Sequence, residues 1–263
     1  MPFSSKSSPI LVMDIGNSSI VCAVFQEANI IDSFRVSAVH TASSEECYQS
    51  FLESGGSKSR FASVAIASVV PNLSSIYCQI FREKYQIKCV EIDALSPIGL
   101  DYLAPDRAAI GADLVANAFA AWKLYAANCI VIDAGTATTL QLITEKGLYA
   151  GVAIMPGLKS SADSLFAKAA RLQAIELKLP SKLLGNNTTD ALQSGIIRGH
   201  AFAIRAFVEQ IQLEYAELQP LKLILCGGLA DLLQPLLPKD FILDTSLTLK
   251  GIHLAYKTLS AGK

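Results

Sequence analysis

The sequence lacks the glycine-rich signatures by which many nucleotide-binding proteins are recognised. No G-x-x-x-x-G-K-[ST] segment is present, which excludes a P-loop enzyme. No G-x-G-x-x-G follows a strand-like run, which argues against a Rossmann dinucleotide site. The chain also has no run of eighteen apolar residues, so we expect no membrane span.

Charged residues are scarce and balanced. They make up 17% of the 263 residues, the formal net charge is −1, and no block of Lys or Arg occurs. Because binding to nucleic acid needs clustered basic residues, we expect no nucleic-acid partner. Hydrophobic residues reach 51% and the mean hydropathy is +0.39, which supplies ample core and leaves apolar surface that a subunit interface would cover.

The cysteines show no C-x-x-C pair, and we interpret them as buried, reduced thiols of a cytoplasmic protein. Residues 1–8 are polar and rich in Ser, without the apolar segment of a secretory signal, and are expected to form a loose tail. The six cysteines are Cys22, Cys47, Cys78, Cys89, Cys129 and Cys226.

The most informative stretch is 129–143. A hydrophobic run ends in Asp133, a glycine and several threonines follow, and a second apolar run ends at Ile143. The pattern predicts two strands joined by a tight turn at Gly135. Backbone N–H groups and hydroxyls at such a tip suit phosphate oxygens, and the acid suits a cation. An ordinary hairpin with no ligand is the alternative.

A similar pattern occurs near the N-terminus. The apolar run 10–13 ends in Asp14, a turn with Gly16 follows, and a second apolar run ends at Phe25. The two acids are 133 − 14 = 119 residues apart, about the size of a small domain. The repeat predicts two domains of like fold facing each other across a cleft, although chance similarity of two short turns is the alternative.

The remaining segments alternate between helix and strand, which indicates the α/β class. A continuous apolar strand is predicted over 61–71 and further strands over 30–39, 87–92, 148–157 and 221–226. Helices are predicted over 45–54, 71–84, 109–122, 160–172 and about 190–218, with a terminal helix after 247–252.

Four further residues carry possible chemistry. Asp113 lies in the first turn of the helix 109–122, where it either stabilises the helix dipole or acts as a base. Gly227 and Gly228 follow an apolar strand and would let a ligand approach the backbone closely. Thr188 is either a capping or turn residue or a substrate contact.

These features together indicate phosphoryl transfer. The hairpins at Asp14 and Asp133 would clamp a polyphosphate, Gly227 and Gly228 would pack against a base, and the acids would hold Mg²⁺. Such a reaction also needs a group aligned with the acceptor hydroxyl, and Asp113 is the candidate.

In order along residues 10–257, the sequence resembles type III pantothenate kinases. The motifs that carry the resemblance are Asp14-x-Gly16-Asn17-Ser18, Ser68-Val69-Val70-Pro71, Gly111-x-Asp113, Asp133-x-Gly135-Thr136-Ala137-Thr138-Thr139, Pro156-Gly157, Asn187-Thr188 with Ser194-Gly195, Gly227-Gly228-Leu229-Ala230 and Leu249-Lys250-Gly251.

The resemblance implies an α/β fold of two ribonuclease-H-like domains of the acetate-and-sugar-kinase/actin/heat-shock-chaperone superfamily, which we divide at 9–122 and 123–263. It implies ATP-dependent phosphorylation of pantothenate to 4′-phosphopantothenate, the first step of coenzyme A biosynthesis. It also implies a homodimer that needs Mg²⁺ and a monovalent cation, K⁺ or NH₄⁺.

Residue roles carry over by the same resemblance, with Asp113 as the proton acceptor and Asp133 as the ligand of the monovalent cation. Thr188 would reach pantothenate across the dimer interface. ATP would be bound by Asp14, Ile15, Gly16, Asn17, Ser18, Ser19, Ile20, Val21, Thr136, Gly227 and Gly228. Pantothenate would be bound by Tyr102, Gly111, Ala112, Asp113, Leu114 and Thr188.

The sequence departs from the family pattern at Leu114, where an arginine is usual. Leucine cannot bond a carboxylate in two places as arginine does. We hypothesise that Arg107 supplies the missing guanidinium, and the alternative is a member with an altered acceptor or lost activity. A second departure, Val152 where the family tends to have glycine, is tolerable in an apolar strand.

Overall fold

We describe residues 8–169 and 172–262 of a computed structural model of the chain. The predicted N-terminal tail lies outside these residues except for Ser8, and so do residues 170–171 of the helix predicted over 160–172. The chain divides into two compact units. The first unit comprises 1–100, 105–120 and 247–263, and the second comprises 101–104 and 121–246.

The first unit is built on a five-stranded sheet of order β3-β2-β1-β4-β5. β1 pairs antiparallel with β2, which pairs antiparallel with β3, whereas β1–β4 and β4–β5 are parallel. The central strands are apolar on both faces because both are covered. The strands are β1 (Ile10–Ile15), β2 (Ser19–Gln26), β3 (Asn29–Ser37), β4 (Ser63–Ser68) and β5 (Cys89–Glu91).

Helices in this unit begin where the sequence supplies starting residues. Ser43 forms a capping box with Glu46, and Pro71 occupies the first turn of its helix. The first helix runs on into a π-helical turn, Leu52–Gly56, which is broken at Gly55. The helices are α1 (Ser44–Phe51), α2 (Pro71–Tyr85) and α3 (Ala112–Tyr125), the last of which starts in this unit.

The second unit contains a six-stranded sheet of order β11-β10-β7-β8-β9-β6. β7–β8 and β8–β9 are antiparallel, whereas β7–β10, β10–β11 and β6–β9 are parallel. The strands are β6 (Asp101–Tyr102), β7 (Cys129–Ala134), β8 (Ala137–Ile143), β9 (Leu148–Pro156), β10 (Lys222–Cys226) and β11 (Phe241–Leu243).

The second unit has its own buried core, which includes Ile130, Ile132, Leu140, Ile197 and Ile204. The long helix predicted to end near residue 218 is instead a series of helical segments with a π-helical turn, Ser194–Arg198, between two of them. The helices are α4 (Leu158–Lys168), α5 (Thr188–Gln193), α6 (Gly199–Glu214) and α7 (Ala230–Leu233).

The terminal helix α8 (Leu247–Ala261) belongs to the first unit. Its Gly251 lies so close to the backbone of Ala116 on α3 that a Cβ there would overlap the carbonyl oxygen. Thr248 donates a hydrogen bond to Asn117 over 2.8 Å. These contacts form between distant parts of the sequence, so our division at 122/123, which assigned this helix to the second domain, differs from the observed units.

The two sheets share one topology. The order β9-β8-β7-β10-β11 repeats β3-β2-β1-β4-β5, strand directions included, and β6 is an addition at one edge. This agrees with the α/β class and the internal repeat predicted from the two Asp-Gly patterns. Within the described part of the chain, no helix is both long and apolar enough to cross a bilayer.

Candidate active site

The first predicted phosphate loop is the turn between β1 and β2. Asp14 is half-buried at the end of β1 and pairs with Val21 on β2. Gly16 N–H donates to the Ser19 carbonyl over 3.1 Å and closes the turn, which leaves Asn17 and Ser18 exposed at the tip. The loop therefore presents polar groups to solvent, as an anion-binding loop requires.

Two side chains beside this loop were not identified from the sequence. Arg35 on β3 donates from Nη1 to Ser19 Oγ over 2.6 Å, and a ring nitrogen of His40, Nε2, lies 2.8 Å from the carbonyl oxygen of Asn17. Arg35 reaches the loop because β3 pairs with β2. Only the pairing of β3 with β2 brings Arg35 next to Ser19, and the local sequence around Arg35 does not indicate this contact.

Asp113 lies in the first turn of α3, as predicted, and its carboxylate folds back on the start of the helix. Oδ1 accepts a hydrogen bond from Leu114 N–H over 2.8 Å. A Cβ on Gly111 would lie 2.5 Å from the same oxygen and 3.4 Å from Val69 Cγ1, so a larger residue here would displace the carboxylate from this position. Burial raises the pKa of Asp113, although hydrogen bonds from the Leu114 and Asp113 backbone oppose the rise.

The neighbours of Asp113 differ in environment. Ala112 and Leu114 are both buried, so the leucine that replaces the usual arginine belongs to the core. Arg107 lies in an exposed 3₁₀ turn, Arg107–Ala109, which Asp106 caps by accepting from Ala108 N–H over 3.0 Å. Arg107 thus lies at the surface, six residues before Asp113 in the sequence.

In the second unit, Asp133 ends β7 and pairs with Thr139 on β8 and Cys226 on β10. Gly227 follows Cys226 with φ of +92°, a conformation that favours glycine. A Cβ there would overlap Asp133 Oδ1 and the backbone of Ala134. The structure thus brings the predicted cation ligand and the first glycine of the predicted base contact together.

The second hairpin is tied to the segment after β9. Gly135 N–H donates to the Ala137 carbonyl over 3.0 Å and closes the turn. The carbonyl of Thr136 accepts from Gly157 N–H over 3.1 Å and from Ser160 Oγ over 2.7 Å. A Cβ on Gly157 would overlap this backbone, which explains the glycine directly after β9. The sequence analysis did not identify Ser160.

Polar side chains lie buried on β8 behind the tip of this hairpin. Thr138 Oγ1 lies 2.9 Å from Nε2 of His200, and burial lowers the pKa of that histidine. Thr139 Oγ1 and both amide atoms of Gln141 are buried without a hydrogen-bond partner among the described residues. Alternate residues of a strand share a face, so these two side chains lie on the face that carries Asp133.

Tyr102 and Thr188 lie in different surroundings. Tyr102 on β6 is buried, with its ring 5.9 Å from that of Tyr149. Thr188 is the exposed first residue of α5. The cap of that helix is Asn187, whose side chain accepts from Asp190 N–H over 2.9 Å, so the capping role considered for Thr188 is wrong. The ligand roles of both residues stay predictions.

The residues present suit oxygen-coordinated cations. Among residues 8–169 and 172–262, no group of three or more His, Cys, Asp or Glu side chains could hold a metal ion. Carboxylates and hydroxyls are the ligands that hard cations prefer, and Mg²⁺ often takes one or two carboxylates together with phosphates. Asp14 offers one carboxylate in the first unit, and Asp133 with Thr139 offers oxygens in the second.

Comparisons with known proteins agree with the motif order. The family model for type III pantothenate kinase matches residues 10–210. A type III pantothenate kinase of Roseiflexus sp. (strain RS-1) is 34% identical over 252 residues, covering 94% of this chain and 98% of the relative. A similarly named protein of Halalkalibacterium halodurans is also 34% identical over 252 residues, with the same coverage.

A solved structure supports the fold. MreB5 of Spiroplasma citri, bound to ADP, superposes with a TM-score of 0.56 at 11% identity, covering 97% of this chain and 98% of that protein. At this identity the likeness concerns the fold, and it is consistent with two ribonuclease-H-like domains. Together with the sequence matches, it leads to one assignment: the chain belongs to the type III pantothenate kinase family.

Proposed function

We propose that this protein transfers the γ-phosphate of ATP to the primary hydroxyl of pantothenate and yields 4′-phosphopantothenate, the first step towards coenzyme A. The observation that carries the proposal is the Asp113 carboxylate, folded over Gly111 in the first turn of α3 with a pKa raised by burial. A raised pKa improves a carboxylate as a proton acceptor.

Asp113 aligns the acceptor and takes its proton. Phosphoryl transfer passes through a loose transition state, so the hydroxyl proton is lost late and alignment contributes most. The hydrogen bond from Leu114 N–H orients the carboxylate, whose remaining lone pairs accept from the substrate hydroxyl.

ATP is bound by backbone and small residues of both hairpins. The exposed N–H groups and hydroxyls of 14–21 contact phosphate oxygens, and Thr136 contributes from the second hairpin. Gly227 and Gly228, which follow β10, contact the base, as the family resemblance implies. Mg²⁺ neutralises charge on the phosphates when it is bound, with Asp14 as a ligand directly or through water.

Asp133 holds the monovalent cation, K⁺ or NH₄⁺. The half-buried carboxylate and the unpartnered hydroxyl of Thr139 form an oxygen-rich position at paired residues of β7 and β8. This donor set suits a weakly hydrated cation. Gly227 lies directly beside the carboxylate, because a Cβ at this position would overlap Asp133 Oδ1.

Pantothenate is bound by Tyr102, the segment 111–114 and Thr188, the last of these from the partner subunit of a cytoplasmic homodimer. Exposed apolar side chains of the second unit support a subunit interface: Ile154 on β9 is 65% exposed, and Phe202 on α6 is 46% exposed. The two ribonuclease-H-like domains are 9–122 together with α8, and 123–246.

Arg107 replaces the guanidinium that Leu114 cannot provide. It is exposed and six residues from Asp113 (113 − 107). We expect Arg107→Ala to raise the pantothenate KM about tenfold, because a charged hydrogen bond to a carboxylate contributes about 1.5–3 kcal/mol. Arg60→Ala, an exposed arginine of the same unit, is the control. An unchanged KM would refute the role.

The function is tested by ADP release, coupled to a spectrophotometric reaction, with and without pantothenate. Pantothenate-dependent release in K⁺ buffer that falls when Na⁺ replaces K⁺ is expected. Turnover without K⁺ dependence would reject the cation role and keep the kinase. No pantothenate-dependent release in either salt would reject the kinase itself.

A further inference from the structure

Two cysteines on the far part of α2 and on β5 lie next to each other, apart from the candidate active site. Cys78 is in the third turn of α2 and Cys89 is the first residue of β5. Both are half-buried at the edge of the first unit's core, and each thiol is close enough to shift the pKa of the other. The proposed kinase chemistry uses neither.

A hydrogen bond one turn away holds α2 and β5 in register. Ser74 Oγ donates to Glu91 Oε2 over 2.6 Å. Cys78 is four residues after Ser74 on the helix, and Cys89 is two residues before Glu91 on the strand, so each cysteine shares a face with its neighbour. The two thiols therefore face each other because of the packing of α2 on β5.

The other four cysteines lie in a different environment. Cys22, Cys47, Cys129 and Cys226 are buried, as the sequence analysis expected of all six. Burial raises the pKa of Cys22, and it raises the pKa of Cys129 to about 11. A buried thiol of high pKa is a poor nucleophile, so Cys22 and Cys129 are not expected to react.

The two adjacent thiols are not equivalent. The hydrogen bond from Cys89 lowers the pKa of Cys78, and Ser74 and Arg82 act in the same direction. The same interaction and burial raise the pKa of Cys89. Of the two thiols, Cys78 is therefore the one that loses its proton more readily, and Cys89 supplies the second thiol, which is the arrangement of an attacking and a resolving cysteine.

We propose that Cys78 and Cys89 form a redox-active dithiol, which a small-molecule disulfide such as glutathione disulfide converts reversibly into an intramolecular disulfide. The Cys78 thiolate attacks one sulfur of the oxidant, forms a mixed disulfide and releases one thiol. Cys89 then attacks the Cys78 sulfur and releases the second thiol. The protein loses two electrons and two protons, and the oxidant is reduced to two thiols.

The disulfide covalently joins an edge strand to its helix. β5 has only three residues and ends the order β3-β2-β1-β4-β5. Residues 79–88, the end of α2 and the connection to β5, form the closed loop. Closing a loop of this length restricts the unfolded chain, so oxidation is expected to raise the Tm by about 5 °C.

Peptide mapping tests the proposal directly. The full-length protein is equilibrated with glutathione disulfide, alkylated with iodoacetamide and digested with trypsin without reductant. Cleavage after Arg60, Arg82, Lys88 and Arg107 leaves Cys78 alone in peptide 61–82 and Cys89 alone in peptide 89–107. We expect these two peptides to be linked, with the loss of two hydrogens, and to separate on addition of dithiothreitol.

Single variants separate the steps. Cys89→Ser should stop at a glutathione adduct on Cys78, Cys78→Ser should give neither link nor adduct, and Cys47→Ser should form the link as the wild type does. A wild-type protein that keeps a stable adduct on Cys78, or whose links involve any other cysteine, would overturn the proposal. An adduct on Cys89 in Cys78→Ser would overturn the assigned order of attack.

Discussion

The two hairpins at Asp14 and Asp133 occupy the same place in two sheets of one topology, but they are held differently. The tip after Asp14 is exposed and contacted by the side chains of Arg35 and His40. The tip after Asp133 is fixed by backbone groups, with the Thr136 carbonyl bonded to Gly157 N–H and Ser160. The repeated fold thus holds one hairpin tip through side chains of its own sheet and the other mainly through the backbone after β9.

The strands behind the tips differ as well. Val21 and Thr139 hold the same register position, opposite Asp14 and Asp133. Two residues further on, Ala23 in the first sheet corresponds to Gln141 in the second, and both are fully buried. The side chains of Val21 and Ala23 are apolar and contribute only to stability. The buried amide of Gln141, which has no hydrogen-bond partner among the described residues, costs free energy and indicates a position kept for function.

The largest expected effect concerns a group that only the first unit supplies, Asp113. Asp113→Asn should lower kcat about 10²–10⁴-fold, because the amide cannot accept the hydroxyl proton. ATP affinity should stay within about twofold, since binding rests on the hairpins. Steady-state kinetics and ATP titration separate the two. Glu45→Gln, which changes an exposed acid in the first turn of α1, serves as the control.

Near-normal turnover of Asp113→Asn would show that Asp113 is not the proton acceptor. The functional contrast between the two units would then rest on the hairpins alone.

Gly227→Ala tests how closely Gly227 packs against the second hairpin. Its φ of +92° disfavours alanine, and the added Cβ would overlap Asp133 and Ala134. Urea unfolding should show a loss of about 2–4 kcal/mol. Gly151→Ala, where a Cβ meets nothing within 4 Å, should change stability by less than about 0.5 kcal/mol. Equal losses of unfolding free energy at Gly227 and Gly151 would contradict the close approach of Gly227 to Asp133.

Each unit also buries one histidine, and the pair predicts a pH dependence. His200 pairs with Thr138, whereas Nε2 of His253 has no partner among the described residues, and its ring stacks on Phe25 at 4.3 Å. Burial, with a contribution from Lys257, lowers the pKa of His253 to about 4. The unfolded state, with a pKa of about 6.5, binds the proton more readily.

The stability that His253 contributes is therefore complete above pH 6.5 and is lost as the pH falls towards 4. His253→Phe keeps the stacking and removes the titration. Between pH 7.5 and 5 it should lose about 2 kcal/mol less unfolding free energy than the wild type. Parallel urea titrations at the two pH values measure this. Identical losses in both proteins would show that the first unit tolerates a charge at this position.

The sequence predicted the elements that local patterns encode. Apolar runs ended by Asp14 and Asp133 predicted both hairpins, and the distance between them predicted the repeated topology. It did not predict that α8 joins the first unit, because the contact of Gly251 with Ala116 links positions 135 residues apart (251 − 116). The pairing of Cys78 with Cys89 likewise depends on how α2 packs on β5.

The same limit applied to the first hairpin, where nothing in the local sequence connects Arg35 with Ser19. The contact exists because β3 continues the sheet beside β2. If this guanidinium helps the β1–β2 loop to hold phosphate, Arg35→Ala should raise the KM for ATP and leave kcat unchanged. The rise should be only about fivefold, because an exposed charge interacts weakly through solvent. The KM for ATP of Arg35→Lys should lie between those of the wild type and Arg35→Ala.

Salt sharpens this last comparison between the hairpins. The effect of Arg35→Ala on the ATP KM should shrink as ionic strength rises, because exposed charges are screened. The second hairpin relies on backbone hydrogen bonds, so its substitutions should show no such dependence. The test is to measure the KM for ATP of Arg35→Ala and of Gly227→Ala from low to high salt at constant K⁺. Equal salt dependence of the two variants would mean that both loops bind phosphate by the same means.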